Sequence, residues 1–374
     1  MTAVNDVSLK NLIVEALYFF SLILAAIIAV NILDRMLLGY VWGGSSRPNF
    51  EMLYLIRTAC VGVVALFFIS FFIFRNPVSQ FLPLTNDSPK TNSSWPWVTL
   101  SKRSRQLGLL IVLIFSIFYL MVFFYDPLEF REISSDQKFV KNFSALFSFS
   151  AFIIFLITGF VNHGLRKQGM EYKFYAIFSW FFSVAFFVIC MEEIAWMQGI
   201  FFFDTPEFFK NNAQKETNIH NYYTYYFELS YYFSTFLFFV VVPFYYDHRP
   251  TLARTPLIRH FLPSRLMIYI GAMAAAYNYD FWNNLYFQMS FFISLYILIY
   301  CAWIRKPDKH LYLLTALIIV FFVSQLSFVL FGFRVTRTPS FKEYKEFFIP
   351  LTFLYYSCEI YVRSRKLVKS KNIQ

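Results

Sequence analysis

Long apolar runs recur from Leu12 to Tyr361, and they constrain this chain more than any single motif does. About 20 apolar residues carry a helix across the hydrocarbon core of a bilayer, and runs of about 18 or more are candidate spans. In lipid the backbone has to satisfy its own hydrogen bonds, which a helix does within one segment. Leu12–Asn31, Met52–Phe74, Leu107–Tyr125, Phe143–Asn162, Phe174 to about Ile200, Tyr222–Tyr246, Leu285–Ile304 and Leu311–Phe333 are read as spans. Two further runs are weaker. Phe261–Tyr279 is interrupted by Arg265, so a half-helix or re-entrant piece fits as well as a full span, and Phe347–Tyr361 is short and contains Glu359. The expectation is an all-α fold: a polytopic integral membrane helical bundle of about ten transmembrane helices. It forms a single membrane-embedded domain over residues 1–374, with a polar loop at 75–106 and a motif loop at 201–221.

Composition agrees. At 58% hydrophobic and 15% charged, the chain departs from the roughly 45–50% and 25% of soluble domains, which excludes an ordinary soluble class. The net charge of +11 is dispersed over inter-helix loops and the C-terminal tail. Membrane lipid is therefore the expected partner, and nucleic acid is not. In a ten-span arrangement the loops that share a side with the termini hold roughly twice the Lys and Arg of the others, which puts both termini in the cytoplasm. The loop between the fifth and sixth spans then faces outward. Cys60, Cys190, Cys301 and Cys358 sit singly in apolar runs without CxxC spacing and read as small buried hydrophobes. No small-residue cleavage site follows Leu12–Asn31, so it reads as a retained first span. Glu15 and Arg57 lie within reach of an interface and read as anchors.

The stretch Met191–Tyr222 differs from the rest. It packs carboxylates, amides and His220 between two apolar runs, Phe174–Cys190 and Tyr222–Tyr246. Ionisable groups at the edge of a span are costly, which makes them functional candidates. If the fifth helix continues through Gly199, the Trp196 indole can cover Glu192 or Glu193. A poorly hydrated carboxyl has a raised pKa and can act as a general acid or base. Asp204-Thr205-Pro206-Glu207 reads as a helix start leading to a short amphipathic helix with Phe208 and Phe209, ended by Asn211 and Asn212. Gln214, Glu216, Asn218, His220 and Asn221 follow. With Thr217 or Asn218 as cap, His220, Thr224 and Glu228 form one stripe on the sixth helix.

Glu192–Asn221 resembles the signature of a group of bacterial multi-pass membrane proteins: E-E-I-S-W-G-Q-R-I-F-G, then T-P-E-F-F, then N-x-Q-x-E-T-N-x-H-N. Glu192, Glu193, Ile194, Trp196, Gln198, Thr205–Phe209, Asn212, Gln214, Glu216–Asn218, His220 and Asn221 match. Ala195, Met197 and Gly199 stand where the pattern has serine, glycine and arginine, so a serine nucleophile or arginine clamp in that helix is absent here. The resemblance implies a bacterial inner membrane location and no particular reaction.

Candidate catalytic residues are Glu192, Glu193 and His220; candidate substrate-binding residues are Trp196, Gln198, Gln214, Glu216, Asn218 and Asn221. No HExxH, ExxH or CxxC spacing marks a metal site, so no metal ligand is assigned. No P-loop, G-x-G-x-x-G or G-x-S-x-G occurs, which disfavours nucleotide use and a nucleophile elbow and leaves no cofactor named. The leading expectation is an enzyme acting on a lipid or lipid-linked substrate at the outer membrane face. A transporter or channel using the same polar groups is the second reading, and a non-catalytic scaffold or assembly factor the third.

Overall fold

The computed structural model describes residues 47–73, 100–135, 138–201, 203–212, 216–248, 256–304, 309–335 and 340–371, with scattered positions between 21 and 36. The expected span Leu12–Asn31, with Glu15, falls largely outside the described residues, as do most of the 75–106 loop and Gln214. Among the described residues the structure is helical without strands. Seven helices among the described residues are long and apolar enough to cross a membrane, and the remaining helical pieces there are shorter or more charged.

In chain order the helices are α1 (Met52–Ile73), α2 (Lys102–Tyr125), the short α3 (Pro127–Ile133), α4 (Phe139–Gly164) and α5 (Met170–Glu193). They continue with α6 (Thr224–His248), which passes through a π-helical turn at Leu237–Val241. Next come α7 (Pro256–Phe261), α8 (Arg265–Ala272), α9 (Leu285–Trp303), α10 (Lys309–Phe331) and α11 (Ser340–Lys371). The acidic segment after α2 is not a loop. Asp126 accepts the Leu128 and Glu129 amides at 2.8 and 3.3 Å, Pro127 occupies the first turn, and α3 forms.

α4 packs antiparallel to α5, with Phe152 on Phe187 and Phe160 on Trp180, and parallel to α11, with Phe147 on Phe347 and Phe155 on Tyr356; α1 packs against α9 and α2 against α10. The run Phe261–Tyr279 resolves as the half-helix α8, extended by one 3-10 turn at Met273–Ala275. Leu266 through Ala272 are all buried, as an element apolar on every face must be. It lies among α2, α6, α9 and α11. At Gly271 a Cβ would come within 2.7 Å of the Phe239 Cβ, so glycine lets the π turn of α6 approach. Arg265, which interrupts the apolar run, binds Asp247 through two hydrogen bonds of 2.5 and 2.6 Å.

Two expectations need correction. Arg57 does not reach outward as an anchor. It is buried, 2% exposed, and donates to Gln288 Oε1 on α9 at 3.3 Å, because a guanidinium turned into the bundle finds an acceptor that lipid lacks. The last run is not a short piece of Phe347–Tyr361 but part of the 32-residue α11. Its first turns are pinned by aromatics: Tyr344 stacks on Phe130 at 4.2 Å and packs on Tyr119 at 4.5 Å. Such pairs contribute about 0.5–1.5 kcal/mol each beyond area burial.

At the far end of α11, Arg363 donates to the carbonyls of His260 and Leu262 at 2.7 Å and pairs with Glu359. His260, on α7, stacks on Tyr175 with ring centroids 4.1 Å apart and lies 3.2 Å from Ser364 Oγ. Burial, then the Arg363 charge, push its imidazole from the usual 6.5 down to about 3. Below pH 6.5 the unfolded chain takes up a proton that the folded chain refuses. Stability from this site is complete above 6.5 and is lost as pH falls toward 3. On moving from pH 7.5 to 5, thermal unfolding of the purified protein should show a loss of about 2 kcal/mol. His260→Gln should remove that part of the pH dependence; an unchanged pH profile would refute the assignment.

Candidate functional site

α5 does not continue through Gly199. It ends at Glu193, and Ala195, Trp196 and Met197 adopt left-handed backbone angles with φ of 47°, 52° and 65°. Three consecutive non-glycine residues there are costly, roughly 1–2 kcal/mol each. Strain of this kind persists only where surrounding contacts determine it. The reversal brings the Trp196 Nε1 to within 2.6 Å of Glu192 Oε1, to which it donates. The expected indole–carboxylate pairing therefore forms, but with Glu192 and through a broken helix. A single turn, Gln198–Phe201, follows.

The motif loop is tied together by its amides. Gln198 Nε2 donates to Thr205 Oγ1 at 2.8 Å, while its Oε1 accepts the Thr217 amide and hydroxyl, each at 2.9 Å. Asn212 Nδ2 donates to the carbonyls of Glu216 at 2.6 Å and Asn218 at 3.3 Å. Asn218 Nδ2 donates to Glu216 Oε2 at 3.1 Å. Two local expectations fail. Asp204–Glu207 starts no amphipathic helix: Glu207–Phe209 is one 3-10 turn with no side-chain cap, and Phe208 is exposed. α6 begins at Thr224, after a separate 3-10 turn at His220–Tyr222, so His220, Thr224 and Glu228 do not share one continuous helix. The six residues Glu207–Asn212 are too few to sustain a free-standing helix.

A cavity of about 280 Å³ opens at this end of the bundle. Glu192 and Glu193 line it from the end of α5, Asn218 from the motif loop, and Glu228 and Tyr231 from α6. Lys141 of α4 and Lys342, Glu343 and Glu346 of α11 complete its polar wall. Val188, Ile219 and Phe227, all exposed, form part of an apolar lining between α5 and α6. Of the sequence candidates, Glu192, Glu193 and Asn218 meet here, and Trp196 touches the site through Glu192. Gln198, Glu216 and Asn221 do not line the cavity; the first two brace the loop, and Asn221 is buried beside it. The His220 side chain and Gln214 lie outside the described residues.

Five carboxylates in one cavity repel unless each is balanced. Lys342 Nζ donates to Glu228 Oε1 at 2.6 Å, and both side chains are largely buried. Tyr232 donates to Glu346 Oε1. Ser144 Oγ lies 3.4 Å from Glu193 Oε1 and 3.1 Å from the Glu346 carbonyl. Glu343 and Lys342 precede the apolar run of α11. Burial, then the neighbouring Glu346 carboxylate, push Glu343 well above the usual carboxylate range. Burial alone would lower Lys342, but Glu346, Glu228 and Glu343 outweigh it and hold the ammonium charged. Behind this wall, Lys345 Nζ lies 4.3 Å from the Phe287 ring centroid and 4.9 Å from that of Tyr232. It donates to Asn278 Oδ1, just past the end of the α8 half-helix. Among the described residues, no group of three His, Cys, Asp or Glu side chains is arranged to hold a metal ion.

The residues that the sequence reading passed over are Lys141, Tyr231, Lys342, Glu343 and Glu346. The signal for α11 was present in Phe341-Lys-Glu-Tyr-Lys-Glu-Phe347, where charged and aromatic residues interleave ahead of an apolar run. Compared with protein-family models, curated proteins and solved structures, the chain matches none.

Met197 gives a direct test of the reversed turn, since glycine, which the resembling pattern has at that place, tolerates φ of 65°. Met197→Gly should raise stability by up to about 1 kcal/mol in thermal unfolding. A loss of stability would show that Met197 is not left-handed.

Proposed function

We propose that the chain is a multi-pass membrane enzyme that takes the polar head of a lipid or lipid-linked substrate into the Glu192–Glu193 cavity. One observation carries the reading: a wall of carboxylates and lysines meets an apolar, exposed lining of Val188, Ile219 and Phe227. An amphiphile matches both halves, its chain lying along the apolar gap between α5 and α6 and its head among the charges. Glu193 serves as base and Glu192, fixed by Trp196, as its partner carboxyl. His220 is the acid or oxyanion partner, and Asn218 orients the head. Trp196, Gln198, Gln214, Glu216 and Asn221 support the loop that carries these groups. The location that goes with this reading is a bacterial inner membrane, with both termini cytoplasmic and the motif loop outside.

A transport reading has its own support in the half-helix α8, whose end lies inside the bundle beside the buried Lys345. Broken helices of this kind serve as ion and solute sites in transporters. Lys345→Met would then abolish solute flux into liposomes and leave lipid composition unchanged.

For the enzymatic reading, lipid profiles of cells expressing the wild type are compared with those expressing Glu192→Gln, Glu193→Gln or His220→Ala. Removing a general acid or base should slow turnover by about 100-fold or more, so the substrate lipid should accumulate in each variant. Unchanged profiles at normal protein levels would contradict the proposal.

A further inference from the structure

The balance of donors and acceptors in the cavity says more about the head it would bind. Two side chains that line it are more than nine-tenths buried and hold an oxygen without a hydrogen-bond partner among the described residues: Asn218, 4% exposed, through Oδ1, and Glu343, 8% exposed, through Oε2. A buried acceptor without a donor is costly. The nearby Tyr231 hydroxyl is also without a partner and can accept as well. The charges point the same way. The lining holds five carboxylates against Lys141 and Lys342, and Lys342 is already engaged by Glu228. A ligand that supplies N–H donors and positive charge would satisfy both the acceptors and the excess of acid.

Resting on the amphiphile reading above, we propose that the cavity recognises a protonated primary amine at the head of a membrane lipid, with Glu343 and Asn218 as its acceptors. The ammonium supplies three donors, more than a quaternary amine, which has none, or a single hydroxyl. A phosphate next to the amine would find Lys141 on the same wall. The apolar gap beside Val188 and Phe227 admits the acyl chains. A divalent metal is the weaker alternative, because no three ligands converge among the described residues.

The test uses the full chain, purified in non-ionic detergent and given equal amounts of phosphatidylethanolamine, phosphatidylcholine and phosphatidylglycerol, with retained lipid read by native mass spectrometry. These three heads offer an ammonium with donors, a cation without donors, and hydroxyls without a cation. The wild type should retain phosphatidylethanolamine over the other two by about tenfold or more, the effect of one charged hydrogen bond. Glu343→Gln should erase that preference without changing the unfolding temperature. If that variant does not fold, Asn218→Leu, which removes the other acceptor, should do the same. Equal or greater retention of phosphatidylcholine or phosphatidylglycerol, or a preference that survives both variants, would overturn the proposal. Ethanolamine binding as tightly as the lipid would overturn the lipid as its source. Val188→Trp, which fills the apolar gap, separates the two layers: if it leaves lipid retention intact, the amphiphile reading itself fails.

Discussion

The arrangement depends on wedging a charged helical turn into an apolar bundle. Lys342, Glu343 and Glu346 occupy one side of the start of α11, while Phe341, Tyr344 and Phe348 fill the core on the other. Burying acids there is tolerable only because they are answered: Glu228 by Lys342, Glu346 by Tyr232, Glu192 by Trp196. Lys342–Glu228 and Tyr232–Glu346 join α11 to α6, Ser144 joins α4 to the Glu346 carbonyl of α11 and to Glu193 of α5, and the Glu192–Trp196 pair is local. The wedge therefore fixes α4, α5 and α6 relative to α11 as much as it builds a cavity.

The same logic accounts for the broken elements nearby. An unbroken α5 would carry Trp196 onward along the helix; the left-handed reversal instead folds it back onto Glu192. The half-helix α8 stops short of a full span, and Lys345 donates to Asn278 just beyond its end. Asn278 Nδ2 in turn donates to the Ala275 carbonyl at 2.5 Å, so Asn278 links the end of the half-helix to the lysine behind the cavity wall.

Much of the fold was legible because hydrocarbon-length runs of Phe, Leu and Ile have few alternatives. The spans beginning at Met52, Leu107, Phe143, Tyr222, Leu285 and Leu311 correspond to membrane-length helices within a few residues. Glu192, Glu193 and Asn218 were legible as candidates because polar groups stand out between apolar runs. Helix breaks were not: Ala195, Trp196 and Met197 carry no intrinsic left-handed preference, so their reversal is imposed by tertiary contacts. Nor was the contribution of α11. The charges at Lys342 to Glu346 lower local hydropathy and set the apparent start of the last run at Phe347. Their counterpart, Glu228, lies more than a hundred residues away in sequence. Arg57 misled for a related reason, since nothing local distinguishes a guanidinium turned toward Gln288 from one reaching an interface.

The contact between Lys342 and Glu228 joins the wedge to the cavity, so a double-mutant cycle on that pair tests the account most directly. Full-length protein, Lys342→Met, Glu228→Gln and the double variant are compared by thermal unfolding in the same detergent. Breaking a buried pair by removing one partner costs about 3–5 kcal/mol. Each single variant should approach that loss, and the double variant should fall short of their sum by more than about 1 kcal/mol. Single effects that add to within about 0.5 kcal/mol would mean that the two side chains do not meet, and the cavity described here would lose its wall.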